Sequence, residues 1–408
     1  MSHVRTLDFG SAPFQIIDGD RGKNYPKQDE FSDDGFCVFL SASNVTKNGL
    51  DFSQCQFITE QKDSVLRKGK LWREDVVLTT RGTIGNSAFY SESVPFEHLR
   101  INSGMVVLRC DKKEILPAYL YHFLRSPQFH GQVNSLRSGV AQPQLPIRDM
   151  RSIKLPLPSL TIQRSIVSIL STYDDLIENN RRRIHLLEQS ARLLYKEWFV
   201  HLRFPGHEHI KIKDSVPVGW EKKILGEVAS TNVESYQARE LPDDINYVDI
   251  SSVTQGSITT KNLVSSTEAP GRARRKAKIG DVIWSNVRPN LRAYALVLNP
   301  EENDVYSTGF TVLSPVAVPF SYLYLLVTTD EFVSYLVNNA TGVGYPAVRP
   351  DDFERAVVLV PSKQLLEIFH EMIEPSYVLI SLLEKEVKLL AKARDLLLPR
   401  LMSGEAVA

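Results

Sequence analysis

The chain has 408 residues, with 48 basic and 48 acidic side chains, 43% hydrophobic residues and 24% charged residues. This balance is typical of a globular protein, and the length fits roughly two domains. Three widely separated cysteines exclude a disulfide framework, and no apolar run approaches the ~18–20 residues of a membrane span, so we expect a cytoplasmic protein with no membrane partner. A formal net charge of zero argues, at first, against a polyanionic partner.

The most informative feature of the sequence is an internal repeat. Residues 74–79 align with 280–285 at an offset of 206, residues 139–143 align with 342–346 at an offset of 203, and residues 158–159 align with 361–362 at the same 203. Because these matches occur in order and at nearly one offset, the sequence predicts two copies of one structural unit.

Each copy has the same predicted order of elements. Short apolar runs with polar breaks predict strands, a helical patch follows, and a Gly-Val turn then leads to a short strand and a long helix that begins after Pro-Ser. In the first copy the strands are 75–78, 105–108 and 153–157, and the helices are 117–129 and 161–200; in the second copy the strands are 281–283, 293–298, 310–313 and 356–360, and the helices are 320–338 and 363–401. The sequence therefore predicts an α/β (α+β) fold.

Both long helices carry a narrow apolar stripe with steps of three and four residues, which indicates a coiled-coil seam. Each helix has a partner of equal length in the other, so we predict that the two helices pair. In the first helix the steps shift once near Asn180, which either fixes the register or lies on a solvated edge, and Pro375 should bend or break the second helix. The predicted seam residues are Ile166, Ile169, Tyr173, Leu176, Ile184, Leu187, Leu194, Ile380, Leu383, Val387, Leu390 and Leu397.

The repeat and the helices divide the chain into four predicted segments. These are a first globular domain at 1–158, a central helix at 159–200, a second globular domain at 201–361 and a C-terminal helix at 362–408. About 35 helical residues at ~1.5 Å each give a rod of roughly 50 Å, which is as long as roughly 15 base pairs of duplex DNA. Two similar domains with approximate twofold symmetry on such a rod can hold two readers on successive turns of one duplex.

Cationic and polar side chains are concentrated in a few loops, although no predicted domain is basic overall. The segment 271–278 holds five cations, and the stretches 79–86 and 285–292, which follow aligned strands, are both polar and both contain arginine. Such side chains read base edges and clamp phosphates, and the alternative is that these are ordinary polar loops. We predict that they bind DNA. The candidate residues, including those in or near the aligned Gly-Val turns, are Thr80, Arg81, Thr83, Asn86, Arg137, Gln142, Gln144, Arg272, Arg274, Arg275, Lys276, Ser285, Asn286, Arg288, Asn290, Arg292, Tyr345 and Arg349.

The sequence offers no pattern that assembles a catalytic or metal centre. Residues 19–23 lack P-loop spacing, and no glycine-rich fingerprint for S-adenosylmethionine or a dinucleotide follows a strand. Residues 350–352 are interpreted as a turn or cap rather than a nuclease carboxylate cluster, and residues 207–209 as a solvated linker rather than a metal site. We therefore expect no catalytic residue, cofactor or metal on this chain.

Several segments resemble the specificity subunits of type I restriction–modification systems. The resemblance lies in residues 138–199, which begin SGVAQPQLPIRDM, in 216–221 (VPVGWE) with 225–228 (LGEV), and in 396–405 (LLLPRLMSGE). It covers nearly the whole chain and is most specific in the helical regions. The first copy departs from the family because it lacks the Pro-x-Gly-Trp entry, and the second has Tyr345 and Ala347 where the first has Gln142 and Gln144.

The resemblance implies two α/β target recognition domains that each read one half of a split DNA sequence, and two helices that pair as an antiparallel coiled coil. It also implies that two DNA-adenine methyltransferase subunits dock on this chain, that S-adenosylmethionine and ATP belong to partner subunits, and that a motor-nuclease subunit can join the complex. The chain itself is expected to be non-catalytic. Two alternatives stay open, namely a stand-alone DNA-modifying enzyme with degenerate motifs and a coiled-coil scaffold that binds only proteins.

Overall fold

The computed structural model describes residues 5–138, 143–213 and 216–402. They belong to two compact units, which we describe separately. Unit 1 comprises residues 1–178 and 387–408, and unit 2 comprises residues 179–386. The division between the units therefore falls inside both long helices rather than at their ends.

Unit 1 is built mainly from antiparallel strands. The strands are β1 (Arg5–Asp8), β2 (Phe14–Asp18), β3 (Cys37–Leu40), β4 (Val45–Thr46), β5 (Gly49–Leu50), β6 (Phe57–Ile58), β7 (Val76–Thr79), β8 (Ser87–Phe89), β9 (Leu99–Ile101), β10 (Met105–Cys110) and β11 (Lys154–Leu157). The helices are α1 (Glu60–Val65), α2 (Pro117–Leu124), α3 (Pro127–Leu136), α4 (Ile147–Met150) and the first part of α5 (Leu160–Tyr195). The main sheet has the order β2-β10-β7-β8, a mixed sheet has the order β6-β3-β9, and β1-β11 and β4-β5 form antiparallel pairs.

Unit 2 begins within α5, which is followed by a π-helical turn at Lys196–Val200. Its strands are β12 (Ile212–Lys213), β13 (Val216–Pro217), β14 (Glu221–Ile224), β15 (Ala229–Thr231), β16 (Asp244–Val248), β17 (Val253–Thr254), β18 (Ser257–Ile258), β19 (Asn262–Ser265), β20 (Ala273–Arg275), β21 (Val282–Ser285), β22 (Tyr294–Leu296), β23 (Asp304–Ser307), β24 (Phe310–Pro315) and β25 (Val357–Val360). Its helices are α6 (Phe320–Leu326), α7 (Asp330–Asn339), α8 (Pro350–Glu354) and the first part of α9 (Lys363–Met402).

The strand orders of the two units correspond. The main sheet β2-β10-β7-β8 of unit 1 matches β15-β24-β21-β22 of unit 2, β1-β11 matches β14-β25, and the hairpin β4-β5 matches β17-β18. The mixed sheet of each unit contains one parallel pair, β3-β9 in unit 1 and β16-β23 in unit 2. The α/β class and the internal repeat that the sequence predicts are therefore confirmed.

One inner strand of each main sheet, β7 or β21, is buried on both faces. In β7, Val76 and Leu78 pack in the core that includes the helices, whereas Val77 packs with residues of the mixed sheet. In β21, Val282 and Ile283 divide between two cores in the same way. A strand covered on both faces reads as a continuous apolar run, which explains why these strands carry the clearest repeat signal. Burial on both faces also fixes the position of the strand end from which the next loop starts.

Each predicted helical patch is in fact two helices. The patch 117–129 is divided into α2 and α3, where the side chain of Ser126 accepts a hydrogen bond from the N–H of Phe129 at 3.2 Å. The patch 320–338 is divided into α6 and α7, where Thr329 accepts from the N–H of Phe332 at 3.2 Å. Apolar periodicity runs through both breaks, but an N-cap hydroxyl starts a new helix at each one.

The long helices pair antiparallel within each unit, as predicted. In unit 1, Ile166 shares a core with Leu398 and Leu401, while Asp174 accepts a 2.6 Å hydrogen bond from Arg394, so residues ascending in α5 meet residues descending in α9.

In unit 2, the ring of Trp198 lies 5.6 Å from that of Phe369, and Leu187 packs on the core that contains Ile380. Burial supports the seam assignment for most of the predicted residues. Buried ones are Ile166, Ile380 and Leu383; half-buried ones are Tyr173, Ile184, Leu187, Leu194, Val387, Leu390 and Leu397.

Two predicted seam residues in α5 are wrong. Ile169 and Leu176 are 40% and 42% exposed, whereas their neighbours Leu170 and Ile177 are buried. With these replacements the steps alternate between three and four without a shift, and Asn180 takes a regular seam position with 3% exposure. The apparent shift arises because apolar residues border the seam on its solvent side, so the sequence alone offers two neighbouring stripes. The solvated-edge interpretation of Asn180 is therefore wrong.

The second long helix is continuous. It runs from Lys363 to Met402, so Pro375 does not break it, contrary to one of the two expectations for this residue. Within the ranges that the structure describes, no helix combines the length and the apolar character needed to cross a membrane.

Candidate nucleic-acid interface

In unit 1 the loop after β7 is hydrogen-bonded to the turn at 103–104 and to Ala42. The backbone N–H groups of Thr80 and Arg81 both donate to the carbonyl of Gly104, at 2.8 and 3.1 Å. The hydroxyl of Thr83 donates to the carbonyl of Ala42 at 3.3 Å. Because main-chain groups hold the loop, its exposed side chains are free to contact a ligand while the loop keeps its shape.

A second loop of unit 1 lies beside the first. Arg81 and Gln144 form an isolated antiparallel bridge, and Gln144 also bridges to Ser138. The side chains of Arg81 and Gln144 are both exposed. The candidate residue Gln142 lies outside the described residues. We call residues 80–86 together with 143–145 the unit 1 loop pair.

Unit 2 has the same arrangement. Val287 bridges to Ala347, which also bridges to Thr341, and the N–H of Arg288 donates to the carbonyl of Pro346 at 2.7 Å. We call residues 286–292 together with 341–348 the unit 2 loop pair. The bridges occur at aligned positions of the repeat, so the structure brings together, in each unit, two loops whose bridged residues are about 60 positions apart in the sequence.

Arg288 has an unusual backbone conformation and an exposed aromatic partner. Its φ of 50° lies in the left-handed region, where the aligned residue of unit 1 is Gly82 with a φ of 70°. Its guanidinium donates to the carbonyl of Gly344 at 3.0 Å and lies 4.4 Å from the ring centre of Tyr345, which is 73% exposed. A side chain in this region costs about 1 kcal/mol, and such strain is found preferentially at functional sites.

Three candidate side chains support the loops from inside rather than facing outward. Ser285 is fully buried, and its hydroxyl donates to the carbonyl of Val287 at 3.0 Å. Thr80 is also buried, with its hydroxyl bonded to Gly104 at 3.0 Å. The half-buried Asn86 uses its side-chain amide to donate to the carbonyl of a residue in β4. We therefore remove Ser285 and Thr80 from the candidate surface, since a buried hydroxyl cannot reach a base or phosphate.

The other candidates near the unit 2 loop pair differ in their exposure and in the contacts that they make. Asn290 is exposed, whereas Arg292 pairs with Asp330 at 2.5 Å. The exposed Arg349 starts α8, where its N–H donates to a carboxylate of the first helical turn, so its backbone has a capping role. The half-buried Asn286 accepts a 2.7 Å hydrogen bond from Thr311 on its side-chain oxygen. In unit 1, Arg137 follows α3 and is exposed one residue before the bridged Ser138.

The basic run 271–278 is connected to the unit 2 loop pair through Arg272. Two backbone hydrogen bonds make this connection. The carbonyl of Arg272 accepts from the N–H of Thr308 at 2.8 Å, and the carbonyl of the adjacent Gly309 accepts from the N–H of Asn286 at 2.8 Å. The turn 308–309 thus connects Arg272 to the unit 2 loop pair.

Three further cations of the run lie in or next to β20 and have contacts of their own. The half-buried Arg274 donates to a backbone carbonyl at 2.6 Å, and Arg275 donates to the hydroxyl of Ser235 at 3.0 Å. The ammonium of Lys276 lies 4.1 Å from the ring centre of Tyr236.

Sequence reasoning missed Arg21. This half-exposed side chain donates at 3.2 Å to the carbonyl of Ser103, in the turn that anchors the unit 1 loop pair, and it pairs with Asp18. The repeated Ser/Thr-Gly turns at 103–104 and 308–309 are the signal that marks this region. Arg21 follows β2 as a single arginine, and no repeated pattern in the sequence marks it.

Neither set of acidic or histidine residues noted in the sequence forms a metal cluster in the structure. Asp352 caps α8 by accepting from the N–H of Arg349 at 2.7 Å, which confirms the interpretation of residues 350–352 as a cap. His207 and Glu208 pair at 3.2 Å in a short 3-10 turn, with both side chains largely exposed. Across the described ranges, no group of three or more His, Cys, Asp or Glu side chains could hold a metal ion.

Comparison with known proteins places this arrangement in context. Residues 14–189 match the family described as "Type I restriction modification DNA specificity domain". The chain is 24% identical over 345 residues to the type I restriction enzyme MjaIX specificity subunit of Methanocaldococcus jannaschii, covering 81% of this chain and 77% of that protein. It is 22% identical to the HindI specificity subunit of Haemophilus influenzae, covering 95% and 98% of the two chains.

A solved structure shares the fold. The type I restriction–modification S subunit from M. genitalium superposes with a TM-score of 0.54 at 15% identity, covering 98% of this chain and 96% of that one.

Proposed function

We propose that this chain, which belongs to the specificity subunits of type I restriction–modification systems, is the subunit that recognises the DNA sequence for such a complex. The observation that carries the proposal is that both units have a loop pair at aligned positions. In each unit its first loop follows the equivalent buried strand, β7 or β21. Each loop pair would read one half of a bipartite target. The side chains proposed for this role are an exposed arginine and an exposed glutamine in unit 1, and in unit 2 a half-buried arginine whose guanidinium lies 4.4 Å from the ring centre of an exposed tyrosine.

The chemistry of these side chains suits base recognition. Arginine contacts the O6 and N7 of guanine, and glutamine contacts the N6 and N7 of adenine, in the major groove. Arg81 and Gln144 are the proposed readers in unit 1, and Arg288 is the proposed reader in unit 2, with Tyr345 fixing the direction of its guanidinium. Arg272 and Arg21 lie beside the loop pairs and are proposed to contact phosphates, which position a protein on DNA without reading sequence.

The paired helices would set the spacing between the two half-sites and offer a docking surface for other subunits. The proposed partners are duplex DNA, two DNA-adenine methyltransferase subunits and, where cleavage occurs, motor-nuclease subunits. We propose that this chain has no catalytic site or cofactor of its own, and that S-adenosylmethionine and ATP bind to the partner subunits. Because its target is cellular DNA, its proposed location is the cytoplasm.

The proposal is tested by binding of duplex DNA to this chain together with a methyltransferase subunit. Sequence preference should be lost at one half-site with Arg81→Ala and at the other with Arg288→Ala. Unchanged preference in both variants would leave the protein-only scaffold as the better function. The purified chain alone should neither methylate nor cut DNA; if it did either, the stand-alone enzyme would be the correct interpretation.

A further inference from the structure

Three exposed side chains of the unit 2 loop pair are apolar or aromatic. Val343 is fully exposed, at 106%, while Leu291 and Tyr345 are 59% and 73% exposed. Single exposed apolar side chains are common on protein surfaces, whereas several in one small region are typical of a surface that another molecule covers. Val343 is the most exposed of the three.

The loop that carries Val343 is short and closed by backbone hydrogen bonds. The N–H of Thr341 donates to the carbonyl of Ala347 at 2.9 Å, and the N–H of Ala347 donates to the carbonyl of Thr341 at 2.9 Å. Both neighbours of Val343 are glycines in the left-handed region, with φ of 108° at Gly342 and 86° at Gly344. Because glycine has no side chain, the isopropyl group of Val343 projects alone from this part of the loop.

The proposed reader Arg288 fixes this loop beside its own guanidinium. The guanidinium donates to the carbonyl of Gly344 at 3.0 Å, and Gly344 directly follows Val343 in the chain. Neighbouring Cα atoms are ~3.8 Å apart, and neighbouring base pairs are ~3.4 Å apart along a strand. A duplex that presents a base edge to Arg288 therefore presents a nearby base pair to Val343, so the molecule that covers Val343 is the same DNA.

The major groove offers one apolar group that suits Val343. Polar side chains recognise the hydrogen-bonding atoms of base edges, whereas the C5-methyl group of thymine is recognised by apolar contact. A valine methyl group neither donates nor accepts a hydrogen bond, so its contact with the polar edge of a G·C pair would leave donors and acceptors unpaired. The chemistry of Val343 therefore favours thymine.

We propose that Val343 reads a thymine in the half-site of unit 2 by contact with its C5-methyl group. The inference rests on the proposed function, in which an adenine methyltransferase partner requires an A·T pair in each half-site. Unit 2 then recognises a guanine through Arg288 and a nearby thymine through Val343. The aligned Val140 of unit 1 lies outside the described residues, so we confine the proposal to unit 2.

The experiment measures binding of the target duplex, identified by methylation mapping, to the full-length chain in complex with a methyltransferase subunit. Deoxyuridine, which lacks the C5-methyl group, replaces each thymine in turn. One replacement in the unit 2 half-site should weaken binding about fourfold, the effect of one buried methyl group. Val343→Ala should weaken binding to the thymine duplex similarly and reduce the preference for that thymine over deoxyuridine to less than about twofold, because the contact is already lost.

Two controls separate this contact from general effects. Replacements in the unit 1 half-site should affect the native chain and Val343→Ala equally. Val316→Ala removes the same atoms from another valine of unit 2, which is 68% exposed. Val316 follows the end of β24, whereas Phe310 at the start of β24 pairs with Ser285 beside the loop pair, so Val316 lies at the opposite end of the sheet. This variant should respond to deoxyuridine as the native chain does.

The proposal is wrong if deoxyuridine is tolerated at every position of the unit 2 half-site, or if Val343→Ala keeps the full preference for thymine. It is also wrong if Val343→Ala weakens binding of thymine and deoxyuridine duplexes equally, because Val343 would then contact the DNA backbone or another subunit. All three results leave recognition through Arg288 intact. The absence of any sequence preference in the native complex would instead overturn the proposed function.

Discussion

The junction between a long helix and the globular core is built from charges in unit 1. Asp174 of α5 accepts hydrogen bonds from Arg125 at 2.8 Å and from Arg394 at 2.6 Å, and it lies 3.8 Å from His122. Burial by itself raises the pKa of Asp174, but the two guanidinium groups outweigh this effect and hold the pKa below its usual range.

The corresponding junction in unit 2 is built from rings and hydroxyls. The residue aligned with Asp174 is Tyr377, whose hydroxyl has no hydrogen-bond partner in the part of the chain that the structure describes. Arg192 of α5 donates to the hydroxyls of Thr328 at 2.9 Å and Tyr324 at 3.1 Å. Burial raises the pKa of the nearby Glu188, even though Arg192 lowers it.

The difference shows which level of structure the repeat preserves. Strand order, register and helix placement recur in both units, while the side chains that fill equivalent places do not. Tyr119 and Tyr322 are an exception, since both donate to a carbonyl of the short strand that precedes a long helix. Backbone hydrogen bonding and burial therefore define the common scaffold, and side-chain chemistry is free to differ between the units, in the junctions as in the loop pairs.

The largest expected effect comes from removing the charge at the unit 1 junction. Asp174→Ala leaves the half-buried Arg125 without a carboxylate and leaves Arg394 with Asp395 alone, and it should lower the free energy of unfolding by about 3–4 kcal/mol. Tyr377→Phe at the aligned position of unit 2 is the matched control and should leave the free energy of unfolding unchanged or raise it by up to about 1 kcal/mol, because it removes a buried hydroxyl that has no hydrogen-bond partner among the described residues. Chemical denaturation measures both. Equal losses would show that the two junctions do not differ as described.

The next effect is a pH dependence that arises from a buried histidine of unit 1. Burial lowers the pKa of His122 to about 4 from the ordinary 6.5, an effect that Asp174 opposes and that Arg125 and Arg394 reinforce. The unfolded chain therefore takes up a proton that the folded chain does not, and stability should fall by up to about 3 kcal/mol as the pH drops from 6.5 to 4.

His122→Leu copies Leu325, the aligned residue of unit 2, and should remove most of this dependence. Unfolding free energies of the native and variant chains at pH 7, 5.5 and 4.5 give the comparison. Parallel pH profiles for the two chains would mean that folding does not change the pKa of His122.

A smaller and more specific effect is expected at the loop pairs. Arg81→Ala and Arg288→Gly should each reduce discrimination at one half-site by about 1–3 kcal/mol. Glycine is chosen at Arg288 because it accepts the left-handed backbone that Gly82 adopts in unit 1. Ser285→Ala removes a buried hydrogen bond that supports the loop, so it should cost about 1 kcal/mol of stability and reduce discrimination less than Arg288→Gly does. Competition binding with duplexes mutated in one half-site measures the discrimination.

The smallest effect is expected at the seam between the long helices α5 and α9. The side-chain nitrogen of Asn180 is buried without a hydrogen-bond partner among the described residues. Asn180→Leu should therefore raise the free energy of unfolding by about 1 kcal/mol, while weakening the control of register. Leu176→Asn, on the exposed side, should cost less than about 0.5 kcal/mol. If the exposed substitution is the more damaging one, the corrected seam is wrong.

The sequence predicts the elements whose residues are continuously buried. It does not predict features that depend on contacts between residues distant in the chain. The strands β7 and β21, the long helices and the loops that follow the strands could all be predicted, because apolar runs and the repeat mark them. The breaks at Ser126 and Thr329 could not, since apolar spacing continues across a cap. The contact between the two loops of each pair, the burial of Ser285 and the proximity of Arg21 to the turn at 103–104 depend on interactions that leave no local pattern in the sequence.

The most direct test of separate recognition by the two units is a methylation map of DNA from cells that express this chain with a methyltransferase partner. A split motif with methyl-adenine in both halves is the predicted result. Arg81→Ala should relax the bases of one half alone, and Arg288→Gly those of the other half alone. A continuous motif, or a variant that relaxes both halves together, would contradict recognition of one half-site by each loop pair.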